Sequence, residues 1–195
     1  MSETVKVKKR KIAWGITGAG DKIEEIVNVM KDFKAQSEDK VEIEVYISKA
    51  AETMLKFYRL DEDLKKSFAK VLVEMNANSP FLAAWLQSGK YEFLLIAPAS
   101  SNTVAKIANS ISDTMLTNAA LMGLKAFQQI YLLPTDYKQG VVSTKLPNGK
   151  EMRLRVRKEE ADQVRKLEAM DGMHTFENPE KMKTFLLEWL KNVKP

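Results

Sequence analysis

Gly15-Ile16-Thr17-Gly18-Ala19-Gly20 follows a short apolar run near the start of the chain. Small residues let a backbone approach a phosphate closely, the Thr17 hydroxyl is a donor, and a helix starting just beyond favours negative charge. The spacing is not a dinucleotide fingerprint, because counting from Gly18 the third glycine position holds Ile23. A merely structural tight turn accounts for the same glycines. Ile47-Ser48-Lys49 places a second hydroxyl at a helix start, where a cap is the simpler role. The third feature is longer. The 43 residues from Phe93 to Thr135 carry only three charges, Lys106, Asp113 and Lys125, where the chain-wide 29% would give about twelve. The stretch is nevertheless dense in Ser100, Ser101, Asn102, Thr103, Asn109, Ser110, Ser112, Thr114, Thr117 and Asn118. Helices without charges are buried in a core or an interface, and buried hydroxyls and amides need partners. Core packing explains the missing charges; a ligand rich in hydrogen-bonding atoms, held near an interface, explains the hydroxyls as well.

These residues must be positioned by alternating strands and helices. Lys11–Thr17, Val41–Ile47, Phe93–Ala97, Ile130–Leu133 and Met173–Phe176 read as strands. The second alternates apolar with acidic residues, as a strand with one wetter face does, whereas the third is wholly apolar, as at the centre of a parallel sheet. Helices are expected over Asp21–Ala35, from Ser48 through Leu55, in a charged stretch near Asp61–Met75, near Pro80–Ser88, twice between Pro98 and Phe127, from Glu159 to Met170 with Gly172 as its C-cap, and over Pro179–Val193. Pro147-Asn148-Gly149-Lys150 joins Val141–Leu146 to Glu151–Arg157 as a hairpin. Together these predict one α/β domain over residues 1–195 with a mainly parallel sheet, a hairpin at 141–157 and a flexible basic N-terminus at 1–10. In such a sheet the ligand sits beyond the C-terminal strand ends, where strand order reverses.

Composition removes many chemistries. With no cysteine there is no thiol nucleophile, disulfide framework, Cys-ligated zinc or self-supplied iron–sulfur cluster. A lone histidine, His174, excludes His-rich metal sites, so no metal is expected, and His174 reads as structural. Trp14, Trp85 and Trp189 read as core residues. The formal charge of +5 is concentrated at Lys6, Lys8, Lys9, Arg10 and Lys11, opposed there by Glu3 alone, so the remainder is nearly neutral. That distribution argues against a nucleic-acid partner. No run approaches the ~20 apolar residues that span a bilayer, and a cytoplasmic location is expected.

Ile47-Ser48-Lys49-Ala50-Ala51, the segment Pro98-Ala99-Ser100-Ser101-Asn102-Thr103-Val104-Ala105-Lys106-Ile107-Ala108, Ile111-Ser112-Asp113 and Leu116-Thr117-Asn118-Ala119-Ala120 resemble the FMN-binding flavoprotein superfamily of homo-oligomeric cysteine decarboxylases and flavin prenyltransferases. The resemblance covers about residues 11–135. It implies a Rossmann-like (flavodoxin-type) three-layer subunit, a homo-oligomer built on trimers, and FMN held near a subunit interface. It places Thr17, Gly18 and Ser48 at the FMN phosphate and ribityl chain, Ala99, Ser100, Ser101 and Thr103 along the flavin ring, and Asn102 on the substrate side. Gly15, Ala19, Lys49, Pro98, Asp113 and Thr114 complete the implied cofactor-binding set, and no residue is assigned a catalytic role.

Departures from the pattern choose among the branches. The decarboxylases use a histidine upstream of the PAS-x-NT strand, and residues 56–92 have none. Their Pro-x-Met-Asn-x-x-Met-Trp segment is replaced by Leu133-Pro134-Thr135-Asp136-Tyr137-Lys138-Gln139-Gly140, and Asn118 stands where the prenyltransferases place an arginine. What remains resembles the archaeal flavoproteins that accept electrons from ferredoxin, and the related dihydromethanopterin reductases. The expected function is an FMN redox protein fed by a separate donor such as ferredoxin. The alternatives are an FMN-dependent pterin reductase, a non-catalytic nucleotide- or protein-binding module and, more distantly, a flavin-dependent decarboxylase. The alternation of Arg153, Arg155 and Arg157 with Met152, Leu154 and Val156 sets three guanidinium groups on one strand face, either solvated or docking an acidic donor.

Overall fold

The computed structural model describes residues 9–193, so most of the expected basic N-terminus lies outside the described residues. Of that segment, Arg10 already belongs to the sheet. In chain order the elements are β1 (Arg10–Ile16), α1 (Ile23–Ser37), β2 (Val41–Ile47), α2 (Lys49–Phe57), α3 (Asp61–Ser67), β3 (Lys70–Val73), α4 (Leu82–Gln87) and β4 (Phe93–Ala99). They continue as α5 (Ser101–Ala108), α6 (Met115–Lys125), β5 (Gln129–Pro134), β6 (Gly140–Lys145), β7 (Glu151–Val156), α7 (Lys158–Glu168), β8 (Met173–Thr175) and α8 (Pro179–Asn192).

Six strands form one sheet in the order β3-β2-β1-β4-β5-β8, with every neighbouring pair parallel. The chain winds outward from β1 to β3, returns to lay β4 beside β1, and winds outward the other way. This is the Rossmann-like α/β fold, and its reversal falls between β1 and β4. β4 is buried along its whole length, as its uninterrupted apolar sequence requires. One core lies on each face. Ile12, Trp14 and Ile16 pack with α1 and α8; Ala13, Leu94 and Ile96 pack with α4, α5 and α6. Trp14 is fully buried, its ring edge-on to Phe68 and its indole N–H donating to Ala97 O at 2.7 Å.

Four expectations need correction. The charged stretch 61–75 is not one helix: α3 ends at Ser67, Phe68 is extended, and Lys70–Val73 forms the edge strand β3. A four-residue strand, half-buried throughout, carries too little periodicity to stand out beside a charged helix. β2 has no wet face at Glu44, which is only 1% exposed. β7 stops at Val156, and Arg157 instead caps α7 in an ion pair with Glu160, so only Arg153 and Arg155 share the outer strand face. α7 ends at Glu168 with Ala169 as its C-cap, and Gly172 (φ +73°) turns the chain into β8 rather than capping the helix.

Glu44 survives burial because five groups face it. Lys70, Lys90 and Lys11 lie at 2.7, 2.9 and 3.4 Å, and the Tyr91 and Tyr46 hydroxyls donate at 2.5 and 3.1 Å. Burial alone would raise its pKa, but the hydrogen bonds from Lys70, Tyr91 and Lys90 prevail and hold it at about 2. A carboxyl with a depressed folded pKa stabilises the fold above its ordinary value of 4.5 and loses that contribution as pH falls toward 2. Glu44→Gln should therefore cost about 2 kcal/mol in denaturant unfolding at pH 7. The gap from the unsubstituted protein should close between pH 4.5 and 2.

Candidate functional site

The crevice at the switch point is assembled from the C-terminal ends of β1 and β4. Thr17 is 2% exposed and joins the two: its hydroxyl donates to Pro98 O at 2.7 Å and accepts from Ser100 N at 2.8 Å. Its proton is thus committed within the protein, and what Thr17 contributes is alignment rather than the free donor expected from sequence. Ser100 caps α5, accepting from Thr103 N, and Ser48 caps α2, accepting from Ala51 N at 3.1 Å. Thr114 and Thr117 form a reciprocal capping box at the start of α6. Much of the hydroxyl density between Phe93 and Thr135 is therefore spent on helix starts.

Glycines bring these starts together. A Cβ on Gly18 would lie 2.7 Å from the Ala50 Cβ, so only glycine lets the β1–α1 loop press against the first turn of α2. A Cβ on Gly20 would sit 2.4 Å from the Tyr58 hydroxyl. Gly15 lies under Leu116 of α6.

The resulting pocket of about 250 Å³ has two unlike walls. One is polar: Ala19, Gly20 and Asp21 from the first loop, Ser100 and Ser101 at the start of α5, and Thr135 and Asp136 after β5. The other is the inner face of the β6–β7 hairpin, where the cross-strand pairs Val142–Leu154 and Thr144–Met152 face inward. Met152 and Leu154 remain 36% and 45% exposed, an apolar surface open to a flat ligand. Tyr58 reaches across to donate to Lys145 O at 3.3 Å, and beyond it a second pocket of about 390 Å³ runs along the start of α1 to the hairpin turn. Burial raises the pKa of Tyr58, and the charges of Asp21 and Glu24 add to the effect. Burial likewise pushes the Asp136 carboxyl above its ordinary value, against hydrogen bonding from Ser101.

Of the residues singled out from sequence, Ala19, Ser100 and Ser101 line this pocket, with Thr17, Gly18, Pro98, Ala99 and Thr103 in the segments that shape it. Asn102 lines a neighbouring cleft of about 300 Å³ between α5 and α7, beside Arg157 and Glu160. Ser48, Lys49 and Thr114 stand at the starts of α2 and α6, and Asp113 is exposed and paired with Lys106 at 2.8 Å. Asp21, Tyr58, Thr135 and Asp136 were not singled out. Asp136 carried a signal, being an acid two residues beyond a buried strand end; Tyr58 carried none. The His174 imidazole lies at the sheet edge, stacked on Tyr131 and 2.7 Å from Gln129 Oε1, away from the pocket. Among the described residues no cluster of His, Cys, Asp or Glu could hold a metal ion.

A model of the Flavoprotein family matches residues 1–186. An uncharacterized protein of Methanocaldococcus jannaschii is 41% identical over 181 residues, spanning 93% of this chain and 96% of the relative. Dihydromethanopterin reductase (acceptor) of the same organism is 38% identical over 144 residues, 70% of this chain but only 58% of the relative's length. Among solved structures, Burkholderia xenovorans DmrB in complex with FMN, described as a cubic protein cage for redox transfer, is 30% identical with a TM-score of 0.79. That match covers 94% of this chain and 97% of that one.

Asp136 gives this pocket a testable signature. An acid whose folded pKa is raised destabilises the fold once pH exceeds its ordinary value, 3.8. Asp136→Asn should raise the midpoint of thermal unfolding at pH 7 by about 1–3 °C. The gain should vanish as pH is lowered through 3.8.

Proposed function

The chain belongs to the Flavoprotein family, and on that premise we propose that it binds FMN noncovalently in the β1–β4 crevice and passes electrons from a separate donor to an acceptor. The observation that carries this reading is the two-walled pocket. Hydroxyls and helix-start amides face one side of a bound ring, and half-exposed Val142, Met152 and Leu154 face the other. The donor set fits FMN: Gly18-Ala19-Gly20 carries almost no side-chain bulk and would let a ligand approach the backbone, Ser48 keeps its hydroxyl proton while accepting from Ala51 N, and first-turn amides of α5 lack intrahelical acceptors. FMN, when bound, supplies the electron chemistry, while the protein supplies orientation and exclusion of water. Ser101, Asn102 and Ala19 would hold it, with Thr17 fixing the spacing of the two loops.

The acceptor reading that a specific observation favours is a dihydropterin, because the named reductase is 38% identical to this chain over 144 residues. That relative extends well beyond the matched part; these 195 residues hold no cysteine to bind an iron–sulfur cluster, which suits a donor carried on a separate protein. Arg153, Arg155 and Lys145 on the outer hairpin face give an acidic donor such as ferredoxin a place to dock. Exposed Phe57, Met75, Phe81 and Phe127 support assembly into a homo-oligomer, with a trimer or a multiple of trimers as its form.

Purified protein reconstituted with FMN should be yellow and should bleach anaerobically with a reduced donor. A protein that stays colourless refutes the reading. Gly18→Ala should weaken FMN binding at least tenfold in a fluorescence titration, since the added methyl group forces α2 away from the loop. Reduction by ferredoxin should slow steeply with salt and in Arg153→Glu/Arg155→Glu, while reduction by dithionite stays unchanged. Assays with NAD(P)H, reduced ferredoxin and dihydropterins separate a reductase from an electron carrier.

A further inference from the structure

Glu74 follows β3 directly, is 9% exposed, and is a carboxylate that the pocket does not contain. Its backbone N–H donates to Ile47 O at 2.8 Å, continuing the pairing of β3 with β2. Its two side-chain oxygens then diverge. Oε2 accepts from Lys49 N at 3.0 Å, and Oε1 accepts from Met115 N at 2.8 Å. Lys49 and Met115 are the first residues of α2 and α6. One side chain therefore fastens the starts of two helices that are 66 positions apart in sequence and belong to different wings of the fold.

Neither helix needs this for an ordinary cap. Ser48 already accepts from Ala51 N, and Thr114 with Thr117 closes the capping box on α6. What the carboxylate adds is registration of one helix start against the other. It sits at two positive helix ends and is compensated there by two charge-assisted hydrogen bonds. The loop it begins is held a second time by Asn118, whose amide donates to Ala77 O and Asn78 Oδ1, both at 3.0 Å. Because Gly18 packs against Ala50, the placement of α2 also sets how Ser48 sits relative to the β1–α1 loop.

We propose that Glu74 is a positioning residue of the FMN site: it touches no ligand, and it holds Ser48 and Thr114 at the separation that binding requires. The inference rests on the proposed function. A glutamine of the same shape cannot replace it, because its NH2 group would face one of the two donor amides.

The test compares unsubstituted protein with Glu74→Gln, Glu74→Asp and a control, Val41→Ala, which truncates the core at the opposite end of β2. FMN affinity is read by flavin fluorescence, stability by thermal unfolding, and the helix starts by hydrogen exchange at the Lys49 and Met115 amides. Glu74→Gln should weaken FMN binding at least tenfold and speed exchange at both amides. Val41→Ala should lower the unfolding midpoint with affinity kept within twofold. Should Glu74→Gln fail to fold, Glu74→Asp, which keeps the charge but retracts it by one methylene, should show the same pattern. FMN affinity within twofold of the unsubstituted protein, or unchanged exchange, overturns the role of Glu74. Failure of the unsubstituted protein to bind FMN overturns the proposed function itself, which is a distinguishable result.

Discussion

The crevice depends on the side-by-side placement of β1 and β4 and on the one hydroxyl that joins their ends. Parallel strands laid outward in both directions from β1 leave a gap beyond their carboxyl ends, and no helix can cross it there. Thr17 bridges that gap by donating to Pro98 O and accepting from Ser100 N. The start of α5 is thereby tied to the end of β1, and that tie places Ser100 and Ser101 in the polar wall. A hydroxyl with both functions engaged at 2% exposure contributes rigidity, which a site needs before it needs reactivity.

Small residues act as the second constraint. Gly15 in β1 admits Leu116, while Gly18 and Gly20 in the first loop admit Ala50 and Tyr58, so each glycine is matched to a different neighbour. Both ends of α2 close on the first loop because two side chains are missing there, and α6 packs on β1 because a third is missing at Gly15. The same economy explains the scarcity of charge from Phe93 to Thr135: α6 is buried along its first half, and its polar residues are used on its own cap and on the Ala77–Asn78 loop. A ligand was one explanation for that density of hydroxyls and amides, and helix capping turns out to absorb much of it.

What the sequence revealed, and what it hid, follow from the range of the interactions. Alternating apolar runs and the Asn-Gly hairpin are local signals, and β2 begins and ends where its alternation does. β3 was lost because four half-buried residues beside a charged helix carry almost no periodicity. Glu44 was misread for a different reason. Its burial depends on Lys70, Lys90 and Tyr91, which lie 26, 46 and 47 positions away, so the alternation of β2 looked like a wet face. The polar wall was legible through Ala19, Ser100 and Ser101, since strand ends and helix starts are marked by small and hydroxylated residues. Tyr58 was not, because only the folded chain carries the end of α2 to the hairpin.

The charges and titratable groups sort themselves by location in a way that narrows the chemistry. The pocket's titratable side chains are Asp21, Tyr58 and Asp136, and burial disfavours the charged forms of both Tyr58 and Asp136. The histidine stands at the sheet edge, and the buried lysine-rich cluster around Glu44 neutralises a structural carboxylate rather than facing the pocket. The pocket's remaining polar groups are hydroxyls and helix-start amides, which suit orienting and enclosing a ligand. In the proposed function, FMN supplies the reactive group and a separate donor supplies the electrons. The hairpin has an apolar inner face that lines the pocket and an arginine-bearing outer face, so the proposed ring cover and the proposed donor dock would share one element.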